Sequence, residues 1–210
     1  MLQDCPTQTL QRQSQFVLET ARLQLRKPTL ADVKAIARLA NDRRIAEMTR
    51  RLPHPYAAAD ATRFIKTIAG QEKLHQRETV FLIEHASTPI GMVGVDWADA
   101  ELPEIGYWLG VDFWGRGFAT EAARAVIDYT FEEFDGVTQL ASGARVINPA
   151  SRRILEKCGF QWTGVELHRF LALGSSTPVD RFKLDRHVWA SLKAWSNATR
   201  NPCQRKELLP

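Results

Sequence analysis

The stretch Glu104-Ile105-Gly106-Tyr107-Trp108-Leu109-Gly110-Val111-Asp112-Phe113-Trp114-Gly115-Arg116-Gly117-Phe118-Ala119-Thr120-Glu121-Ala122 decides the fold. Its first part alternates, and this pattern predicts a strand over 104–113 whose one face carries Ile105, Tyr107, Leu109, Val111 and Phe113. Two glycines interrupt the pattern, and apolar residues then recur at three-to-four spacing, which predicts a helix over 119–134. The stretch therefore predicts a strand, a glycine turn and a helix in direct succession.

The sequence on either side extends this unit into an α/β pattern. Upstream, we predict a strand over 21–26, helices over 30–41 and 58–70, and a hairpin of strands over 79–84 and 90–97. Downstream, we predict a strand over 140–144, a short helix that begins after Asn148, and strands over 162–171 and 179–188. The order β-α-α-β-β-β-α-β-α-β-β predicts a mixed α/β layer fold.

The composition is typical of a soluble globular protein. The chain has 210 residues, of which 44% are hydrophobic and 25% charged, so we expect one domain over 16–196 with polar arms over 1–15 and 197–210. No apolar run is long enough to span a membrane, and the first residues do not resemble a secretory signal. The three widely spaced cysteines predict free thiols in a reducing compartment, and hence a cytoplasmic protein.

The formal net charge of +4 does not by itself predict a nucleic-acid partner. Basic residues predominate over 19–66 and acidic residues over 67–110, whereas nucleic-acid binders concentrate their basic residues in one stripe with aromatic residues between them. The charge pattern favours a solvated mixed surface and no nucleic-acid binding.

The junction over 109–120 is the first candidate site. The first N–H groups of a helix lack partners and carry partial positive charge, and glycines let an anion approach them. The spacing Gly115-x-Gly117 matches neither the dinucleotide fingerprint nor the nucleoside-triphosphate loop. A tight strand-to-helix turn that binds no ligand is the alternative interpretation.

The segment Asn148-Pro149-Ala150-Ser151 is the second candidate, although Asn148 is also an ordinary helix cap. The sequence lacks the G-x-S-x-G elbow of serine hydrolases, which disfavours that chemistry. The five histidines stand singly and no cysteines are spaced as metal ligands, so we expect no metal.

Together the two segments resemble the acetyl-CoA signature of the GNAT superfamily of N-acetyltransferases. Its first half is similar to 104–122, and its second half to Asn148-Pro149-Ala150-Ser151 and Leu155-Glu156-Lys157-Cys158-Gly159-Phe160. The residues of the two segments are most similar to those of the subgroup that acetylates ribosomal proteins at N-terminal alanine. The resemblance covers about residues 20–190. It departs from the superfamily's common pattern at Trp114, a tryptophan that is usual in this subgroup.

The resemblance implies a GNAT fold, acetyl-CoA as co-substrate and a role for each matching residue. Backbone groups of Leu109 and Val111 would bind the pantetheine arm, and Asn148 would contact it. Arg153 would reach a phosphate, and Ser151 would protonate the departing thiolate. The pyrophosphate would bind the backbone N–H groups of Arg116, Gly117, Phe118, Ala119 and Thr120. The catalytic set is then Ser151, Glu104 and Asn148.

Glu104 begins the central strand, where the superfamily often places its general base. Attack requires a neutral amine, and an α-amino group with a pKa of about 8 is easier to deprotonate than a lysine. A surface carboxylate is the alternative interpretation of Glu104. Asp96, Asp99 and Glu101 are candidates to attract a cationic substrate, although a solvated loop carboxylate is the favoured interpretation of each one taken singly.

The resemblance predicts transfer of an acetyl group from acetyl-CoA to a primary amine, on a protein N-terminus or a small molecule. The sequence leaves open which amine, and whether the protein is a monomer or a homodimer. Two rival functions are a non-catalytic acyl-CoA sensor or partner-binding module on the same fold, and a nucleic-acid-binding module recruited through residues 19–66.

Overall fold

An eight-stranded sheet forms the centre of the molecule in a computed structural model that describes residues 17–73 and 78–200. The strands are β1 (Val17–Glu19), β2 (Leu23–Arg26), β3 (Glu78–His85), β4 (Thr88–Asp96), β5 (Glu104–Leu109), β6 (Gln139–Arg145), β7 (Gln161–Phe170) and β8 (Ser175–Asp185). The helices are α1 (Val33–Ala40), α2 (Arg43–Ala46), α3 (Ala58–Lys73), α4 (Phe118–Glu133), α5 (Pro149–Lys157) and α6 (Arg186–Arg200). The mixed α/β fold class predicted from the sequence is confirmed.

The strand order is β1-β2-β3-β4-β5-β6-β8-β7, and neighbours are antiparallel except for β5 and β6. These two parallel strands are paired at a single position, Glu104 with Ala141. The Ser142 hydroxyl donates to the Ile105 carbonyl at 2.9 Å near this point. Beyond it the two strands separate, which opens a wedge in the middle of the sheet.

Helices cover both faces of the sheet because its strands alternate. On β3, Phe81 and Ile83 belong to the larger core cluster, which packs against α4. The neighbouring residues Val80 and Leu82 belong to the second cluster, under α1 and α3. This period-two division places a hydrophobic layer on each face and fixes the sheet between the helices.

Helix α4 buries the apolar stripe that its sequence predicts. Its buried residues are Phe118, Ala122, Ala123, Val126, Ile127, Thr130 and Phe131. The Thr130 hydroxyl, the polar group in this stripe, donates to the Val126 carbonyl at 2.7 Å. The burial of this stripe against the sheet fixes the N-terminus of α4 at the end of β5.

The capping box predicted at Thr29 is present and is joined by an arginine. The Asp32 carboxylate accepts from the Thr29 backbone N–H at 2.7 Å and from Arg26 at 2.8 and 2.9 Å. Burial alone would raise the pKa of Asp32, but the hydrogen bonds from Arg26 and Thr29 outweigh it and lower the pKa. The Arg26 guanidinium also pairs with Glu84 at 2.7 Å, which ties the start of α1 to the sheet.

Two predicted elements are wrong at their ends. The strand predicted over 104–113 stops at Leu109, and Val111–Phe113 is a short 3-10 turn. The Gly110 N–H donates to the Ile90 carbonyl at 2.8 Å, and the Phe113 N–H turns back to the Gly110 carbonyl at 3.0 Å. Val111 therefore lies in the turn and has no place in the strand.

The strand predicted over 179–188 likewise gives way to α6 at Arg186. The Arg186 guanidinium donates to the carbonyls of Phe131, Phe134 and Val137 near the end of α4. Since α6 runs through Arg200, the boundary expected at residues 196 and 197 falls inside this helix. The predicted arm over 1–15 and the end of the predicted tail, 201–210, lie outside the described residues.

Candidate active site

A groove of about 1130 Å³ occupies the wedge between β5 and β6. One part is lined by the N-termini of α4 and α5, and we call it the helix-terminus half. The opposite part is lined by α2, by the chain that follows it, by α3 and by residues from β5, β6 and β8. It contains six arginines, and we call it the arginine-rich half: Arg44, Arg50, Arg51, Arg63, Arg145 and Arg181.

Two glycines shape the helix-terminus half. Gly115 and Gly117 have φ angles of 73° and 80°, a left-handed conformation that other residues adopt only with strain. Gly117 is the N-cap of α4, and the residues that follow it in the groove are Phe118, Ala119 and Thr120. The backbone N–H groups that open a helix carry partial positive charge, so this terminus can hold an anion.

Arg22, which the sequence analysis did not identify, braces this terminus. Its guanidinium donates to the Arg116 carbonyl at 3.0 Å and pairs with Glu121 at 2.7 Å. The Arg22 guanidinium also lies 4.7 Å from the centre of the Phe118 ring. Arg22 is 94 residues from Arg116 in the chain, so no local motif could have indicated it. Arg116 itself is not among the residues that line the groove, although Gly117 is.

The predicted pantetheine contacts are placed differently from one another. Leu109 lines the groove at the end of β5, whereas Val111 does not line it. The Leu109 carbonyl accepts a hydrogen bond of 2.8 Å from the indole N–H of Trp114. Trp114 therefore fixes the turn between β5 and α4 and occupies one acceptor position of that carbonyl.

Asn148 and Ser151 lie together at the start of α5. The Asn148 side chain accepts from the Ser151 backbone N–H at 3.1 Å, which is the predicted cap. The Ser151 hydroxyl lies 3.0 Å from the phenol oxygen of Tyr107 on β5. Arg153 lines the groove on the next part of α5. The cap thus holds Ser151 with its hydroxyl free of the helix backbone and directed toward β5.

Tyr107 was singled out in the sequence only as an apolar-face residue, but it contacts Ser151 across the wedge. Burial raises the pKa of its phenol well above the usual value, and the hydrogen bond with Ser151 offsets only part of this effect. A phenol in this environment stays protonated near neutral pH and can donate a hydrogen bond. The two partners are 44 residues apart in the chain, so no local sequence pattern could have indicated this pair.

Glu104 lies at the boundary of the arginine-rich half, 23% exposed and paired with two arginines. Its carboxylate accepts from Arg50 at 3.0 Å and from Arg181 at 3.2 and 3.3 Å. The Arg50 guanidinium also contacts His168 at 3.1 Å. Glu104 is therefore a carboxylate held in a fixed direction by two arginines and not a loosely solvated surface group.

The acidic loop before Glu104 contributes less to the groove than the sequence suggests. Asp96 lines the groove but pairs with Arg51 at 3.0 Å. The Asp99 carboxylate accepts from the backbone N–H groups of Glu101 and Leu102, and neither Asp99 nor Glu101 lines the groove. The expected attraction of a cation by this loop is therefore offset by the arginines beside it.

Across residues 17–73 and 78–200, no group of three or more histidine, cysteine, aspartate and glutamate side chains is placed to hold a metal ion. In the same part of the chain, no helix is both long and apolar enough to cross a membrane. Cys158 is a free, buried thiol, and burial raises its pKa to about 11. It is not among the groove-lining residues.

Comparison with known proteins gives the family of this site. Residues 22–161 match the acetyltransferase (GNAT) domain family. The uncharacterized N-acetyltransferase YoaA of Bacillus subtilis is 35% identical over 173 residues, which are 78% of this chain and 92% of that protein. The ribosomal-protein-serine acetyltransferase of Escherichia coli is 29% identical over 99 residues, which are 45% of this chain and 55% of that protein.

A solved structure shares the fold. It is that of RimL, a ribosomal L7/L12 alpha-N-protein acetyltransferase in complex with coenzyme A. It superposes with a TM-score of 0.72 at 16% identity and covers 81% of this chain and 98% of that one. The family match over 22–161 and the wedge between β5 and β6 agree with the resemblance seen in the sequence. The chain belongs to the GNAT acetyltransferase family.

Proposed function

We propose that this protein transfers the acetyl group of acetyl-CoA to a primary amine. The observation that carries the proposal is the wedge between β5 and β6, which meets a glycine-shaped helix terminus at one side and Ser151 at the other. An extended arm fits a wedge with unpaired strand backbone, and a pyrophosphate fits a helix N-terminus.

The residues of the helix-terminus half are suited to hold the co-substrate. The backbone N–H groups of Gly117, Phe118, Ala119 and Thr120 would bind the pyrophosphate, while Arg153 offers a further cation for a phosphate. Leu109 and Asn148 would contact the pantetheine arm. Neither Arg116 nor Val111 lines the groove, so their part in co-substrate binding stays a prediction from the sequence.

Acetyl-CoA supplies an activated acetyl group as a thioester, whose C–S bond breaks as the new C–N bond forms. A thiol has a pKa of about 8.5, so a hydroxyl placed beside the sulfur eases its departure by donating a proton. Ser151 is that donor in our proposal, and it regains a proton from solvent. Tyr107, 3.0 Å away, orients the Ser151 hydroxyl.

Glu104 is the proposed general base, acting directly or through a water molecule. It takes up the proton that the attacking amine loses. The contacts with Arg50 and Arg181 fix the direction of the carboxylate at the boundary of the arginine-rich half.

The acceptor in this proposal is a protein N-terminus or a small molecule. Relatives and structural neighbours support either class: one is named a ribosomal-protein-serine acetyltransferase, and another is a microcin C7 self-immunity acetyltransferase in complex with acetyl-CoA and AMP. A cytoplasmic location, a monomeric or homodimeric state and the absence of nucleic-acid binding stay predictions. A non-catalytic acyl-CoA sensor on the same fold is the alternative function.

Acetyl-CoA at about 100 times its dissociation constant should stabilise the protein by about 2.7 kcal/mol. For a chain of this size that corresponds to a rise in Tm of about 5–10 °C. Thermal unfolding with and without acetyl-CoA measures this shift, and desulfo-CoA serves as a co-substrate control that binds without reacting. Mass spectrometry of an amine panel then separates the two functions: acetylated product supports the enzyme, whereas stabilisation with no acetylated amine supports the sensor.

Replacing Glu104 with glutamine should lower kcat/KM at pH 7 by about a hundredfold or more, because the base is lost while a side-chain oxygen remains for Arg50 and Arg181. Raising the pH toward the α-amino pKa of about 8 should narrow the difference from wild type, since more of the acceptor is already neutral. Steady-state rates from pH 6 to 9 measure this. A defect of constant size at every pH would instead assign Glu104 a purely structural role.

A further inference from the structure

The arginine-rich half of the groove has an excess of positive charge where an amine must bind. Its six arginines lie among five carboxylates: Asp60, Asp96 and Glu104 line the groove, and Asp42 and Glu166 pair with its arginines from outside it. An acceptor that carried only an ammonium group would be repelled by this excess as it entered. The charge balance therefore favours an acceptor that brings negative charge of its own.

Five of the six arginines already have a carboxylate partner. Arg44 pairs with Asp42 at 2.7 Å, Arg51 with Asp96 at 3.0 Å and Arg63 with Asp60 at 3.3 Å. Arg50 and Arg181 share Glu104, at 3.0 and 3.2 Å, and Arg181 also pairs with Glu166 at 3.3 Å. These contacts neutralise much of the charge in place, so the excess is concentrated at the sixth arginine.

Arg145 has no carboxylate within ion-pair distance among the described residues. One of its terminal nitrogens donates to the Glu47 carbonyl at 2.9 Å, and its guanidinium lies 5.5 Å from the centre of the Phe170 ring. Its Nε is buried and has no hydrogen-bond partner. Buried donors without partners are rare, so the contacts that the protein itself supplies do not fully satisfy this guanidinium, and Arg145 lines the groove.

Arg145 is also well placed relative to the proposed reaction centre. It is the last residue of β6, and its carbonyl accepts from the Asn148 N–H at 2.7 Å. Asn148 in turn caps the helix that carries Ser151. A group bound to Arg145 is thus held by the same short segment as the proposed proton donor.

We propose that the acceptor amine also bears a carboxylate, and that Arg145 binds this carboxylate and so selects the substrate. The inference rests on the proposed acetyl transfer and names the class of its acceptor. An arginine suits the role because its planar fork can pair with both carboxylate oxygens. The carboxylate belongs either to a free amino acid or to an acidic residue beside a peptide N-terminus, and these two sources share the chemistry.

The test uses matched acceptors that differ only in this charge. One arm pairs each of glutamate, aspartate, glutamine and asparagine with its own α-carboxamide, and also pairs glutamate with glutamine and aspartate with asparagine, so that the α-carboxylate and the side-chain carboxylate are removed separately. The other arm compares peptides that begin with Ala-Glu or Ala-Asp with peptides that begin with Ala-Gln or Ala-Asn. In at least one kind of pair, kcat/KM of wild type should be about tenfold or more higher for the member with the additional carboxylate.

Arg145→Gln should bring the ratio of the two kcat/KM values close to one. Arg145→Lys should leave a smaller preference, because lysine keeps the charge but lacks the planar guanidinium that can pair with both carboxylate oxygens. Arg169→Gln is the matched control: Arg169 is an exposed arginine on β7 that does not line the groove, and its removal should leave the ratio unchanged. Because each ratio is taken within one variant, a partial loss of stability does not mimic the effect.

Calorimetric titration with acetyl-CoA accompanies every variant and separates this inference from the function on which it rests. Acetyl-CoA binding and acetyl transfer with equal rates for both members of every pair would overturn the inference and leave the proposed function intact. The same holds if Arg145→Gln keeps the wild-type preference. Absence of acetyl-CoA binding, or of transfer to any acceptor, would overturn the proposed function, and the inference with it.

Discussion

Replacing Ser151 with alanine should lower kcat by about a hundredfold to ten-thousandfold and leave the dissociation constant for acetyl-CoA nearly unchanged. The hydroxyl is the group that we propose protonates the departing sulfur. Its removal does not disturb the helix cap, because Asn148 accepts from the backbone N–H of residue 151, which alanine keeps. Steady-state kinetics give kcat, and calorimetric titration gives the affinity.

Tyr107→Phe is the matched variant for this experiment. It keeps the aromatic ring on β5 and removes only the hydroxyl that contacts Ser151. If Tyr107 orients Ser151, its loss should lower kcat clearly less than the loss of Ser151 does. The reverse ranking would make Tyr107 the direct proton donor, a role that its raised pKa and protonated state also permit. An acetyl-CoA affinity that falls in parallel with kcat in Ser151→Ala would contradict a role in the chemical step.

The sequence predicted those parts of the fold that depend on local periodicity. The stripe of α4, the capping box at Asp32 and the cap at Asn148 are each specified by residues within a few positions of one another. The end of β5 was predicted wrongly because Val111 and Phe113 continue the alternation, whereas the hydrogen bond from Gly110 to Ile90 turns the chain. That bond is a contact with another strand.

The start of helix α6 is likewise set by contacts that the local sequence does not show. Its first residues continue the apolar alternation of β8, but Arg186 binds the carbonyls at the end of α4 and Trp189 donates to Asp128 at 2.6 Å. These partners are more than fifty residues away in the chain. Tertiary contacts therefore decide where the strand ends and the helix begins.

The candidate site divides in a similar way. The motif positions Gly117, Asn148 and Ser151 could be assigned from the sequence because the groups that they present are set by local turns and caps. Arg22, Tyr107 and Arg145 could not, because each acts through a partner on a different element. The sequence also overstates the negative charge that the acidic loop presents to the groove, because a count of residues does not show that Asp96 is paired with Arg51.

Replacing Gly117 with valine should weaken acetyl-CoA binding by about a hundredfold or more. Gly117 has a φ of 80° at the N-cap of α4, which is strained for a β-branched residue. The new side chain would either shift the backbone out of this conformation or stand beside the first N–H groups of the helix. Both changes remove the charge-assisted hydrogen bonds that we propose for the pyrophosphate, and calorimetric titration with acetyl-CoA measures the loss.

Gly136→Val is the matched control for this substitution. Gly136 lies in the exposed turn beyond the other end of α4, and a Cβ there would have no heavy atom within 4 Å. Its φ lies outside the left-handed range, so the variant should bind acetyl-CoA as wild type does. A folded Gly117→Val protein with wild-type affinity would place the pyrophosphate elsewhere. Weaker binding in Gly117→Val alone would tie the affinity to the backbone conformation at the helix terminus, because the two substitutions add the same side chain.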